Sequence, residues 1–99
     1  MKLQIQSVHF DADQKLKDFI NKKLSKLDLY YDKVIGSDVI LTFEGLNTQV
    51  RDKVVTIKTQ IPGTVLIAKE KSKKFEESID LAVESLRRQI EKIKTKAKK

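Results

Sequence analysis

The N-terminal part of the chain changes from strand-like to helix-like spacing of apolar positions. Residues 2–8 place apolar side chains on one face, with the two-residue period of a β-strand. A helix is predicted over about 12–28, because apolar residues then recur every three or four positions. These residues are Leu16, Phe19, Ile20, Leu24 and Leu27. A capping-box spacing from Asp11 to Gln14 marks its expected start.

Three further strands are predicted in the middle of the chain, at about 34–44, 50–61 and 65–70, from alternating apolar and β-branched residues. Gly45-Leu46-Asn47-Thr48 supplies turn residues between the first two of these strands. Pro62-Gly63 closes a tight hairpin between the last two. Pro presets φ for the second position of a type II turn, and Gly accepts the positive φ required next.

The C-terminal third returns to the helical period. A helix is predicted over about 73–95, where apolar residues fall at steps of three and four without Gly or Pro. The apolar residues are Phe75, Ile79, Ala82, Val83, Leu86, Ile90 and Ile93. Residues 96–99 are expected to form a disordered basic tail, so that 1–95 is the single domain.

The element order β-α-β-β-β-α restricts how the chain can be assembled. The first helix is a crossover, so the first two strands are expected to be parallel, whereas hairpins make the remaining pairs antiparallel. Both helices then run in the same direction. The predicted fold is an α+β two-layer sandwich, a four-stranded mixed sheet with two parallel helices on one face.

Length and composition restrict the classes of protein. A chain of 99 residues with 39 % apolar residues is sufficient for one small domain. The absence of Cys excludes disulfide frameworks and thiolate metal sites. With neither a signal-peptide core nor a membrane-length apolar run, the chain is expected to be soluble and cytoplasmic, without a membrane partner.

Positive charge is concentrated in two segments. The chain has 21 Lys and Arg against 14 Asp and Glu, a net charge of +7. Residues 86–99 contribute seven Lys or Arg and one Glu, and residues 15–33 contribute six Lys against three Asp. This asymmetry favours a polyanionic partner, nucleic acid or an anionic membrane surface, over a small acidic substrate.

Basic side chains on the two helices form the one group of residues with candidate chemistry. Their guanidinium and ammonium groups suit phosphate oxygens, and a groove between parallel helices would track a nucleic-acid backbone. They are Lys22, Lys23 and Lys26 on the first helix and Arg87, Arg88, Lys92 and Lys94 on the second. An alternative interpretation is that these cations complement the helix dipoles and keep a small domain soluble.

Enzyme classes lack their essential residues in this sequence. His9 is the only histidine, so a metal site or a histidine relay lacks its other members. The carboxylates near the helix starts suit caps and first turns, and three scattered glycines form no phosphate loop. No cofactor, metal or small-molecule substrate is expected.

Two features remain open to more than one interpretation. Tyr30 and Tyr31 follow the first helix, where they would either stack on nucleic-acid bases or pack over the sheet edge. The apolar stripe of the second helix has the spacing of a coiled-coil or membrane-surface helix. The sheet, however, needs that stripe for its own core.

Three segments resemble the ribosome hibernation-promoting factors, also called ribosome-associated inhibitors or sigma-54 modulation proteins. They are DADQKLKDFINKKLSKLDLYYDKV, IPGTVLIAKEK and FEESIDLAVESLRRQIEKIK, and the resemblance extends over nearly the whole chain. The most specific positions are Leu16, Phe19, Lys23, Lys26, Leu27, Tyr30 and Asp32 in the first segment and Ile79, Asp80, Leu86, Arg88, Gln89 and Lys92 in the last.

This resemblance implies a non-enzymatic protein that binds the small ribosomal subunit in the channel where messenger RNA and transfer RNAs meet. Such binding would block translation and store ribosomes during stationary phase or stress. The family's basic, ribosomal-RNA-binding positions map onto Lys23, Lys26, Arg88 and Lys92, with Lys22, Arg87 and Lys94 as neighbours. The chain looks like a short family member and is expected to be a monomer off the ribosome.

The resemblance leaves the outcome on the ribosome open. Long family members have a further domain that pairs two ribosomes, so promotion of ribosome dimers and silencing of single ribosomes both remain possible. Many relatives have an acidic residue and Tyr entering the second helix, where this chain has Lys73-Lys74-Phe75.

Two other classes of protein have a similar order of elements. A general double-stranded RNA-binding module lacks the first strand and places its Lys cluster at the N-terminus of its second helix. An acylphosphatase-like enzyme needs a phosphate loop and an Arg-Asn pair, which this sequence does not supply.

Overall fold

The computed structural model describes residues 1–45 and 52–97, which form a four-stranded sheet and two helices. The elements are β1 (Lys2–Ser7), α1 (Gln14–Tyr30), β2 (Gly36–Glu44), β3 (Asp52–Ile61), β4 (Thr64–Ser72) and α2 (Phe75–Ala97). Their order confirms the predicted α+β fold. The predicted turn at 45–48 and the first two residues of the predicted strand 50–61 extend outside the described residues.

The four strands lie in the order β1-β2-β3-β4. β1 pairs with β2 in parallel, and the other neighbouring pairs are antiparallel, as predicted from the connections. The register aligns Ile5, Val39, Ile57 and Ala68 in one row across the sheet. Because side chains alternate between faces, this row and its equivalents form one apolar face that the helices cover.

The apolar stripes of both helices are buried against this sheet face. α2 packs on β3, β4 and α1, and its Ile79, Leu86 and Ile90 are inaccessible to solvent. The stripe that has coiled-coil spacing is therefore part of the domain core. Over residues 1–45 and 52–97, neither helix is long and apolar enough to cross a membrane.

The helices begin and end at positions that differ from the sequence prediction. Asp13, rather than Asp11, is the N-cap of α1: its carboxylate accepts a hydrogen bond from the Leu16 backbone N–H at 2.8 Å. α2 continues through Lys96 and Ala97, which were expected in a tail. Lys and Ala favour helix, and no Gly or Pro ends it there.

The start of α2 is fixed to the sheet by aromatic and hydroxyl contacts. Phe75 stacks on Phe10 at 5.3 Å between ring centroids and meets the edge of Phe43 at 5.5 Å. One turn later, the fully buried Ser78 hydroxyl donates to the Lys53 carbonyl on β3 at 2.7 Å. It also shares a 3.0 Å hydrogen bond with the Ser72 hydroxyl. These contacts set the position of α2 along β3 and β4.

Ser78→Ala is expected to lower the free energy of unfolding by about 1–2 kcal/mol, because it removes the hydroxyl that donates to the Lys53 carbonyl at a part-buried site. Urea denaturation followed by circular dichroism measures this change. Ser25→Ala is the matched control, since Ser25 is exposed on α1. An equal effect of the two substitutions would mean that the Ser78 hydrogen bond adds nothing to stability.

Candidate nucleic-acid interface

The two helices run side by side in the same direction. Lys23 of α1 pairs with Asp80 of α2 at 3.1 Å, and two turns further along α1, Tyr30 meets Arg87 and Glu91, two and three turns further along α2. Because these contacts advance together along both helices, the helices are parallel, as the topology required. The surface between them encloses an open groove of about 440 Å³, lined by Lys23, Lys26, Leu27, Tyr30, Asp80, Val83, Glu84 and Arg87.

Tyr30 joins the end of α1 to the basic half of α2. Its ring lies 5.3 Å from the Arg87 guanidinium carbon and 4.2 Å from Lys94 Nζ, within the range of cation–π attraction. Its hydroxyl donates a hydrogen bond to Glu91. Tyr30 therefore packs against the core at the seam between the helices, and stacking of the tyrosines on nucleic-acid bases stays a prediction.

The seven predicted cations divide into two sets. The first set lies at the groove: Lys23, Lys26 and Arg87 line it, and Lys94 reaches it over the Tyr30 ring. The second set comprises Lys22, Arg88 and Lys92, which are exposed outside the groove lining. The groove is thus lined by only part of the predicted set, and the role of all seven cations in RNA binding stays a prediction.

Helical geometry explains this division on α2. At 100° per residue, Lys92 points about 140° away from Arg87 around the helix axis. It lies on the side where Gln89 donates to the Ile67 carbonyl on β4 at 3.1 Å, and that side faces away from α1. The basic surface is therefore broader than the groove and extends over the ridge of α2.

Apart from Lys94, which lies over the Tyr30 ring, four cations of this surface have no carboxylate partner among the described residues. They are Lys22, Lys26, Arg88 and Lys92, and all four are exposed. In contrast, Lys23 pairs with Asp80, and Arg87 lies 3.8 Å from Glu84. The four unpaired cations can neutralise an approaching polyanion without first breaking an ion pair.

An acidic strip on α2, made of Asp80, Glu84 and Glu91, borders the same groove and was missed by the sequence analysis. Together with Arg87 and Lys94, the residues of the strip follow one another along α2 at steps of four, three, four and three. This spacing places all five on one helix face. The signal that indicates the strip in the sequence is this helical spacing of acidic and basic residues.

The helix-dipole interpretation does not account for the lysines of α1. No basic residue lies in the last turn of that helix, where a cation would interact with the dipole. Lys22, Lys23 and Lys26 stand in its interior. Their positions leave solubility of a small domain and binding of an anionic partner as the two interpretations.

Two lysines near the other end of α2 are paired with carboxylates, whereas Lys74, directly before Phe75, is exposed without a carboxylate partner among the described residues. Lys71 pairs with Glu44 at 3.2 Å and Lys73 with Asp52 at 2.8 Å. The hydrogen bond from Lys73 holds the pKa of the Asp52 carboxyl below its ordinary value. These pairs reduce the capacity of the α2 N-terminal end to bind another anion.

Comparisons with known proteins place the chain beside ribosome-associated relatives. The sequence profile described as "Sigma 54 modulation protein / S30EA ribosomal protein" matches residues 3–98. A ribosome hibernation promotion factor of Deinococcus radiodurans is 28 % identical over 94 % of this chain and 49 % of its own length. A ribosome hibernation promoting factor of Pseudomonas putida is 29 % identical over 97 % of this chain and 89 % of its own length.

The fold has a close structural match. A ribosomal subunit interface protein from Coxiella burnetii superimposes with a TM-score of 0.83 at 23 % identity, over 96 % of this chain and 99 % of that one. The comparison supports the arrangement of sheet and helices. The lengths of the relatives differ, since the chain spans about half of the Deinococcus protein and most of the Pseudomonas protein.

Proposed function

The chain belongs to the family described as sigma 54 modulation protein / S30EA ribosomal protein, and from this premise we propose that it binds the small ribosomal subunit and inhibits translation. In this proposal it occupies the channel for messenger RNA and transfer RNAs and preserves idle ribosomes in stationary phase or stress. It acts by binding alone, as a monomer before it reaches the ribosome, in the cytoplasm. The names of the relatives support ribosome association.

The observation that carries the proposal is the basic surface of α1 and α2. Its four unpaired cations, Lys22, Lys26, Arg88 and Lys92, contact phosphates of ribosomal RNA. The groove cations, Lys23, Arg87 and Lys94 with Lys26, follow the backbone between the helices. Charged and bidentate hydrogen bonds to phosphate make such a surface suited to folded RNA, whose shape rather than sequence is recognised.

The second candidate function, a general double-stranded RNA-binding module, is less well supported. Such a module needs free lysines at the N-terminus of its second helix. Lys71 and Lys73 stand close to that position and are each paired with a carboxylate, whereas Lys74 there is exposed and has no carboxylate partner among the described residues. The chain also has β1, which that module lacks.

Sedimentation of the purified protein with small subunits, whole ribosomes and RNA duplexes tests the proposal. We expect saturable one-to-one binding to small subunits that a molar excess of duplex does not displace. If the four unpaired cations each neutralise one phosphate, log K should fall with log salt with a slope of roughly −3 to −4, at about 0.9 per contact. Equal affinity for any duplex would favour the general RNA-binding module instead.

The same samples show whether the protein holds ribosomes as single particles or joins them in pairs. On a sucrose gradient, ribosomes held as single particles and ribosomes joined in pairs sediment separately. A translation extract supplied with the protein measures inhibition, and inhibition should follow the occupancy of the small subunit. Occupancy without inhibition would place the binding site outside the channel.

A further inference from the structure

The acidic strip brings negative charge into a surface proposed to bind phosphate. Asp80 lies 3.1 Å from Lys23, and Glu84 lies 3.8 Å from Arg87. Glu91 accepts a hydrogen bond from the hydroxyl of Tyr30, and Lys94 lies over the ring of that tyrosine. Each carboxylate thus stands beside a groove cation or beside the ring that carries one. Three negative charges at these positions oppose the approach of a polyanion.

We infer that the acidic strip makes RNA binding selective, because its carboxylates compete with phosphates for the groove cations. This inference rests on the proposed function and concerns the same surface. A generic duplex gains contacts with the unpaired cations but meets repulsion in the groove. An RNA surface that matches both helices gains enough further contacts to displace the carboxylates. Selectivity of this kind comes from penalising the wrong partner.

Solvent exposure supports competition at the first ion pair. The Asp80 side chain is 52 % exposed and the Lys23 side chain 27 %, so a phosphate that approaches this pair meets the carboxylate more readily than the ammonium. Like charges a few ångströms apart repel, and the repulsion is stronger near a protein surface than in bulk water. Lys23 is therefore available only to a phosphate that is held in place by other contacts.

The second and third carboxylates extend the same effect along the groove. Glu84 and Arg87 are about equally exposed and form an open pair that a well-placed phosphate can enter. Glu91 lies one turn further along α2, where its hydrogen bond with Tyr30 keeps its negative charge next to the cations that flank the ring. The strip therefore extends from the Lys23 ion pair to the Tyr30 ring.

The unpaired cations show the contrast on the same protein. Lys22, Lys26, Arg88 and Lys92 have no carboxylate partner within the described ranges, and they attract any polyanion. Two functions are thereby separated: general attraction by the unpaired cations, and discrimination by the paired ones. Removal of the strip should convert discriminating cations into general ones.

The test compares two variants that each lose three negative charges. D80N/E84Q/E91Q removes the strip, and D11N/D38N/E77Q removes three exposed carboxylates outside the groove that have no ion partner among the described residues. A 20-base-pair RNA duplex of arbitrary sequence and isolated small subunits are the two ligands. Affinity is measured over a salt series, and circular dichroism confirms that each variant is folded.

We expect the strip variant to bind the duplex about tenfold more tightly, since three repulsive charges are removed. Its slope of log K against log salt should steepen by about 1.8, because Lys23 and Arg87 become available at about 0.9 per phosphate. Affinity for small subunits should change less than about threefold, so selectivity falls. Asp80→Asn alone, which frees only Lys23, should give a smaller gain and provides a second reading if the triple variant unfolds.

Three results would overturn the inference. Weaker duplex binding by the strip variant would mean that the carboxylates orient the cations rather than compete with RNA. An equal gain in the control variant would assign the effect to net charge. An equal gain in affinity for duplex and subunit would mean that the strip does not contribute to selectivity. If the unaltered protein fails to bind subunits, the proposed function fails, whereas the duplex measurements still decide whether the strip opposes RNA.

Discussion

Replacement of both Arg88 and Lys92 with Glu is expected to weaken binding to the small ribosomal subunit about 100-fold or more. Both side chains are exposed on α2 and neither has a carboxylate partner among the described residues, so their full charge is available to phosphate. Loss of two charge-assisted hydrogen bonds of about 1.5–3 kcal/mol each exceeds the roughly 2.7 kcal/mol that corresponds to 100-fold. Reversal of the charge adds repulsion. Equilibrium sedimentation with purified subunits measures the change.

Long-range attraction must be separated from contact in this experiment. K58E/K69E changes the net charge by the same amount on the opposite face of the sheet, where both lysines are exposed. Their neighbours Thr59 and Ala68 are buried on the helix-covered face. We expect this control to bind within about fivefold of the unaltered protein at physiological salt, where screening acts over about 8 Å. An equal loss of affinity in both variants would mean that the binding site lies elsewhere or that binding depends only on the net charge of the protein.

The fold was predictable from the sequence because most buried residues of each element lie on one side of it. A half-buried strand has to alternate and a half-buried helix has to repeat every three or four residues, so burial leaves a periodic signal. In the structure, apolar residues at these periodic positions form one row across the sheet, from Ile5 through Val39 and Ile57 to Ala68. Connection rules then left one arrangement of parallel and antiparallel pairs.

The ends of the helices were predicted less well, because they depend on individual contacts. Asp11 and Asp13 are both acceptable caps in sequence, and only the geometry of the loop selects Asp13. The end of α1 is held by Tyr30, which makes its contacts 61 residues away along the chain at Glu91. No local pattern contains a contact of that kind.

The candidate site was predicted in its residue types and missed in its pairing. The basic residues of both helices were evident from composition, and parallel helices brought them to one side of the domain. Which cations meet carboxylates depends on the rotation of each helix about its axis. The core stripe sets that rotation: burial of Leu27 and Leu86 turns Lys23 and Asp80 toward each other and Arg88 away. The arrangement of the candidate surface is therefore a consequence of core packing.

Leu24 belongs to the core that sets this rotation. Leu24→Ala on α1 is expected to lower the free energy of unfolding by about 2–5 kcal/mol. Leu24 is fully buried in the middle of α1, one residue after Lys23. The substitution removes buried apolar surface and leaves a cavity that the sheet and α2 fill only in part. For a domain of this size, such a loss is a large fraction of the total stability. Urea denaturation at constant pH measures it.

Leu29→Ala provides a matched control on the same helix, since Leu29 is 87 % exposed. The same atoms are removed there from a side chain already in water, and Ala favours helix slightly more than Leu, so stability should change by less than about 0.5 kcal/mol. Subunit binding should follow the folded fraction: unchanged for Leu29→Ala, and restored for Leu24→Ala by a stabilising osmolyte. Equal destabilisation by the two substitutions would contradict the burial of α1 against the sheet. Weak binding by fully folded Leu24→Ala would instead show that this leucine sets the rotation of α1 and hence the direction of Lys23 and Lys26.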